Sequence, residues 1–184
     1  MAGKTIDRAG LRAFLTRLDA ALDRPGVLFL LGGSSLTWRG VKQETADIDV
    51  ALAEDDPEPR RLRDAILVAG DFVEALVDIM RLGDMFPLPE GYAERAELAE
   101  QFRRLSAYHF DPYSIALTKL ARSEARDVDD VDSMLKSDLI DCAALRRHSE
   151  SVLQRLQHSA NRSDREDFRR KVDAFYREHC ADHM

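Results

Sequence analysis

The chain has 184 residues, of which 45% are hydrophobic and 33% charged, so it is long enough and apolar enough to bury a core without metal or disulfide staples. Its net charge of −7 argues against a passive nucleic-acid coat, which needs a basic surface, and no apolar run approaches membrane-spanning length. The N-terminal stretch lacks a signal-peptide apolar segment and Cys142 and Cys180 lack metal-ligand spacing, so a reduced cytoplasmic protein with no membrane association is expected.

Residues 6–22 carry Leu11, Phe14, Leu15, Leu18, Ala21 and Leu22 at helical spacing, and Arg24-Pro25-Gly26 ends that helix. The apolar run at 27–31 is expected to be a strand covered on both faces. Gly32 and Gly33 break it, and Ser34 can cap a short helix to about residue 39. Residues 46–53 form a second strand, residues 54–59 a turn with Pro57 or Pro59 near a helix start, and the helix runs to about residue 69. A third strand is expected over 73–80, with 72–76 alternatively a helix tail. Residues 83–91 read as loop, 92–100 as helix and 103–110 as a further strand.

From residue 111 the periodicity turns helical. Asp111 is a good N-cap and Pro112 a good first helical residue. Helices are expected over 113–121, 128–136, 138–157 and 163–178. The organisation is therefore α/β over residues 1–110, a small mixed β-sheet flanked by helices, followed by a helical region over 111–184.

The chemistry concentrates in Leu30-Leu31-Gly32-Gly33-Ser34, then twelve residues, then Asp47-Ile48-Asp49-Val50. A strand ending at Gly33 lets backbone N–H groups approach a phosphate, the next helix presents its N-terminus to the same anion, and Ser34 can add a hydroxyl. Asp47 and Asp49 are two apart on a strand, so both point to one face while Ile48 and Val50 point to the core. Neighbouring carboxylates repel unless a cation joins them, and as hard oxygen donors they suit Mg²⁺ (or Mn²⁺) bridging to substrate phosphates. Asp78, inside Val77-Asp78-Ile79-Met80, is the expected third carboxylate, with Glu74 on the same expected strand face as the fallback.

Gly33, Ser34, Asp47 and Asp49 match the pattern of the nucleotidyltransferase superfamily typified by DNA polymerase β, which this chain resembles. More of the chain, namely Phe86-Pro87-Leu88-Pro89-Glu90-Gly91-Tyr92 with Arg95, His109 to Arg122, and Arg126-Asp127-Val128-Asp129-Asp130-Val131, is similar to AbiEii-type toxin nucleotidyltransferases of toxin–antitoxin systems. The resemblance implies a pyrophosphate-releasing enzyme that takes a nucleoside triphosphate, an RNA, tRNA or protein acceptor, and a cognate antitoxin as partner. In that family a lysine opens a second motif, here Lys119, followed by Arg126, Asp127 and Asp130. From spacing alone, Lys119 and Arg122 lie three apart on one helix and can face one anion, while Asp127 and Asp130 can orient Lys119 or Arg126; helix-surface salt bridges are the competing reading.

Arg39, Lys42 and Thr45 read as surface loop, with phosphate contact as the alternative. Trp38 reads as core. Tyr108, His109 and Tyr113 lie where strand meets helix, near a nucleotide pocket if one forms there. His179, Cys180 and His183 do not make a zinc site by themselves. The basic clusters are Arg60-Arg61-Arg63, Arg103-Arg104, and Arg162, Arg165, Arg169, Arg170 with Lys171, each a solvated helix face or a local anion patch. Two other functions remain open: an aspartyl phosphotransferase using Asp47 as nucleophile, which leaves Gly33-Ser34 without a job, and a catalytically degenerate nucleotidyltransferase fold acting as a binding module or antitoxin.

Overall fold

The computed structural model describes residues 5–53, 56–81, 86–156 and 162–181, with the side chains of Arg162 and Ser163 excepted. The chain divides into two compact units: Met1–Asp84 with Ala96–Phe110, and Met85–Arg95 with Asp111–Met184.

The first unit opens with β1 (Ile6–Asp7) and α1 (Arg8–Ala21), where Asp7 caps the helix by accepting from the Gly10 amide at 2.8 Å. β2 (Gly26–Leu30), α2 (Gly32–Arg39), β3 (Glu44–Thr45), β4 (Ile48–Leu52), α3 (Pro59–Val73), β5 (Val77–Met80), β6 (Glu97–Gln101) and β7 (Leu105–His109) follow. β1 pairs with β3, and the main sheet has the order β5-β4-β2-β7-β6. β2 runs antiparallel to β4 and parallel to β7, and β4 runs parallel to β5.

Alternation decides the two faces of this sheet. Leu28 and Leu30, Ile48 and Val50, and Leu105 and Ala107 turn to one side, where they are buried against Leu11, Phe14, Leu15 and Leu18 of α1 and Leu62, Ile66 and Ala69 of α3. Val27 and Phe29 turn to the other side and are half-buried, with Phe29 against Tyr108 and Phe110 at ring separations of 5.8 and 6.1 Å. The apolar run of β2 is thus not equally covered on both faces within this unit. Trp38 is core, as its composition suggested, with the Arg8 and Arg12 guanidiniums 5.8 and 5.5 Å from its ring.

Residues 92–100 are a correction. Ala93–Arg95 is a single 3-10 turn and Glu97–Gln101 is the edge strand β6, antiparallel to β7 with a register shift between Leu98 and Glu100. The run Ala-Glu-Arg-Ala-Glu-Leu-Ala-Glu-Gln is rich in helix formers, and pairing with β7 overrides that weak local preference. The charged residues Glu97 and Glu100 suit a strand with one open edge.

The second unit is helical: α4 (Pro112–Arg122), α5 (Ala125–Lys136), α6 (Cys142–Leu156) and α7 (Arg162–His179). Its core includes Leu117, Leu120, Val131, Met134, Leu145, Val152, Phe168, Val172 and Phe175. Phe86 stacks on Phe168 with ring centroids 4.8 Å apart. Cys142, at the start of α6, and Cys180, just after α7, form a disulfide with Cα atoms 6.0 Å apart. The expectation of two thiols is therefore corrected; stable disulfides are uncommon in a reducing cytosol. No helix among the described residues is long and apolar enough to cross a membrane.

Candidate active site

The antiparallel register places Leu30 opposite Val50, and the Leu31 amide donates to the Asp49 carbonyl at 3.0 Å. The C-terminal end of β2, with its glycine turn, therefore meets the N-terminal end of β4, with its acids. Local bonding adds a staple. The Asp49 amide donates to Ser34 Oγ at 2.9 Å, and the Ser34 hydroxyl donates towards the Asp47 carbonyl at 3.5 Å. Ser34 is fully buried, so its hydroxyl holds the acid-bearing segment, whereas the sequence suggested a donor for a phosphate.

Both glycines of the turn are required by space. Gly32 has φ +41°, and a Cβ there would lie 2.6 Å from Asp49 Oδ2. A Cβ on Gly33 would lie 2.2 Å from Thr45 Oγ1, closer than real atoms approach. The missing side chains let Asp49 and Thr45 pack directly against the backbone of the first turn of α2. Asp49 itself lies opposite Asp78 in the parallel β4–β5 register, and both point away from the face that carries Ile48 and Val50. Asp47 sits in the bend just before β4; it and Asp49 are half-buried, while Asp78 is exposed.

Gly33, Ser34, Asp47, Asp49 and Asp78 are thus brought to one end of the sheet by two registers. Carboxylate oxygens are the donor type that suits a hard divalent ion. As the side chains stand, however, no three His, Cys, Asp or Glu groups among the described residues form a cluster able to hold one. Glu74 is not on the strand: it is the C-cap of α3 in the left-handed conformation, with φ 55°, so it does not share a face with Asp78.

Beneath the turn lies a contact that spacing did not reveal. Ser35 Oγ and His109 Nδ1 are 3.0 Å apart, with both side chains buried. Pairing of β2 with β7 sets His109 beside Leu30 and hence under α2. Burial, together with the positive charge of Arg39, lowers the His109 pKa from 6.5 to about 4, so the ring is neutral near pH 7. Arg39 itself bonds Glu97 at 2.8 Å.

The second unit contains the other residues singled out from the sequence. Lys119 is buried, and its Nζ donates to Asp127 Oδ1 at 3.2 Å and Asp130 Oδ2 at 2.7 Å. Arg122 makes two bonds to Asp127, from Nε at 2.9 Å and Nη2 at 2.6 Å. Burial alone would raise the Asp127 carboxyl, but the Arg122 bonds and the Lys119 charge hold it below the usual carboxylate range. Two cations face two carboxylates, so the group is electrically balanced and ties α4 to α5. Arg126 is outside it and pairs with Glu124 at the surface.

The Arg95 and Asp111 pair was also not apparent from spacing. Arg95 Nε and Nη2 donate to the two oxygens of fully buried Asp111 at 2.8 and 2.9 Å. Asp111 also accepts from the amides of Tyr113 and Ser114 and from the Ser114 hydroxyl. Tyr113 donates its hydroxyl to Asp141 at 3.0 Å, and His179 Nδ1 lies 3.0 Å from Asp132. His183 lies outside the described residues. Of the basic clusters, Arg61 is bonded to Asp23 and Glu58, and Arg104 to the Leu22 carbonyl.

None of the curated proteins and none of the solved structures matches the chain. The profile of one family, described as a nucleotidyltransferase of unknown function (DUF6036), matches residues 9–179, which include the glycine turn, all three aspartates, and the Lys119 group. The chain, whose turn and acids converge at one sheet end, therefore belongs to this nucleotidyltransferase family.

Proposed function

We propose that the chain transfers a nucleoside monophosphate from a nucleoside triphosphate to an acceptor hydroxyl, with Asp47, Asp49 and Asp78 as its acidic set. The observation that carries this reading is the pair of registers that puts the Gly32-Gly33 turn, Asp49 and Asp78 at one end of the sheet. Asp47, Asp49 and Asp78 would hold Mg²⁺ (or Mn²⁺), which would neutralise triphosphate charge when bound. The amides of the first turn of α2 offer donors to phosphate oxygens. Ser34 holds the acid-bearing segment in place through the Asp49 amide. The acceptor oxygen attacks the α-phosphorus, the bond to the β-phosphate oxygen breaks, and pyrophosphate leaves. The acceptor proton passes to Asp78, the most open of the three carboxylates.

On this reading the balanced Lys119, Arg122, Asp127 and Asp130 group anchors α4 and α5. An RNA or tRNA end, or a protein hydroxyl, is the proposed acceptor, and a toxin role with a cognate antitoxin is proposed on the resemblance of residues 109–122 and 126–131. The test is incubation with each labelled nucleoside triphosphate, Mg²⁺ and total bacterial RNA or extract, followed by identification of the labelled product. Asp49→Ala should abolish labelling while circular dichroism is unchanged; undiminished transfer by that variant would rule out the assignment.

A second reading is a binding module that does not turn over. It is favoured by the absence, among the described residues, of an acid cluster closed enough to hold an ion. Calorimetric binding of a triphosphate with Mg²⁺, without any labelled product, would select it.

A further inference from the structure

Helices α6 and α7 line an open cavity of about 370 Å³, and the reaction proposed above makes no use of it. The basic run read from the sequence of α7 is divided by the helix. Arg170 bonds Asp167, and Lys171 bonds Asp167 at 2.7 Å and the Ala121 carbonyl at 2.6 Å. Arg165 and Arg169, four residues apart, instead line the cavity with Arg146 of α6. Arg162 lies outside the described side chains.

One donor in this wall, Arg165 Nε, is buried and lacks an acceptor among the described residues, and the Tyr176 hydroxyl is buried beside Ser149. Tyr176 is 6% exposed, and the Arg146 guanidinium lies 5.3 Å from its ring. Ser149, which also lines the cavity, gives its hydroxyl to the Arg146 carbonyl. Burial pushes the Tyr176 phenol upward, so it remains a donor through the physiological range. Buried donors without acceptors are rare in folded proteins and mark a place where an acceptor can arrive.

The guanidinium fork suits phosphate oxygens. A bare anion would not need the acids in the same wall, Glu150 and Asp173, which would repel it. Carboxylates accept hydrogen bonds from hydroxyls, and a ribonucleotide carries phosphate and ribose hydroxyls together. The cavity volume lies in the range of small-ligand sites.

We propose that this cavity binds a ribonucleoside monophosphate unit, its phosphate on Arg165, Arg169 and the Tyr176 hydroxyl and its ribose hydroxyls on Glu150 and Asp173. Two sources carry that chemistry, a free nucleotide and a nucleotide within an RNA strand. The site lies wholly in the second unit and does not depend on whether Asp47, Asp49 and Asp78 perform chemistry.

The test uses the full chain, AMP and inorganic phosphate in calorimetry, and a fluorescein-labelled ten-nucleotide RNA in anisotropy at two salt concentrations. Wild type should bind AMP more tightly than phosphate. Arg165→Ala with Arg169→Ala should weaken AMP binding at least about tenfold. If RNA is the source, AMP should displace the labelled strand, and the double variant should lower the salt slope by about 0.7. If the free nucleotide is the source, AMP binds and the strand does not. Tyr176→Phe, which removes one donor to the phosphate, should weaken AMP binding about tenfold. Arg170→Ala, on the same helix but outside the cavity, should bind like wild type. The proposal is overturned if AMP does not bind, if phosphate binds as well as AMP, if RNA binds but AMP cannot displace it, or if both cavity variants match Arg170→Ala.

Discussion

Replacing His109 by asparagine isolates the energetic effect of keeping an imidazole neutral beneath the glycine turn. The ring is 6% exposed, bonded to Ser35, and its pKa is lowered from 6.5 to about 4, first by burial and then by Arg39. A histidine with a lowered folded pKa binds fewer protons folded than unfolded. Stability is therefore intact above about pH 6.5 and falls as the pH drops towards 4, below which the loss is constant. Each pH unit in that window corresponds to about 1.4 kcal/mol, so the full loss is roughly 3 kcal/mol. Between pH 7.5 and 5.5 roughly 1 kcal/mol of this should appear. Asparagine keeps a polar atom for Ser35 Oγ and does not titrate. Urea unfolding of wild type and His109→Asn at pH 7.5, 5.5 and 4.5 gives two stability profiles, and their difference removes the carboxylates common to both. The difference should shift in favour of the variant as the pH falls. Parallel profiles would refute the claim that His109 is held neutral by its surroundings.

Three other expectations test the packing of the two units. Gly33→Ala forces a Cβ onto Thr45 Oγ1 and should destabilise by about 1–3 kcal/mol in urea unfolding; Thr45→Ala in the same chain should recover part of that, and additive effects would contradict the contact. Reduction of Cys142–Cys180 reopens a loop closed over 38 residues and should lower stability by roughly 4 kcal/mol, read as a lower melting midpoint with reductant than without. Lys119→Met leaves the Asp130 carboxylate without its bond from Nζ and should destabilise by about 3 kcal/mol, with a smaller loss when Asp130→Asn is added; equal losses in the single and double variants would argue against the ion pair.

The local features of the candidate site were readable because they depend on short spacing. Asp111 and Pro112 begin α4 where the N-cap and first-turn rules place them, and the alternation of Asp47, Ile48, Asp49 and Val50 separates acids from core. The helix expected over 92–100 failed because β6 takes its conformation from β7, a partner the local composition does not specify. Glu74 failed because α3 runs on to Val73 and ends in a left-handed residue, leaving only Val77–Met80 as strand. Ser34 was legible as a polar group at the turn, but not as the acceptor of the Asp49 amide fifteen residues away.

Outside β6, residue order alone determined the periods of the main helices and strands, the glycine break after β2 and the acid pattern of β4, since each is set by neighbours within one or two turns of chain. Tertiary structure decided the direction of β4 against β2, the pairing of Asp49 with Asp78, the neutral His109 and the division of the α7 arginines between Asp167 and an open cavity. Those outcomes depend on which distant surfaces pack together, and the free energy of that packing is shared among residues that no local window contains.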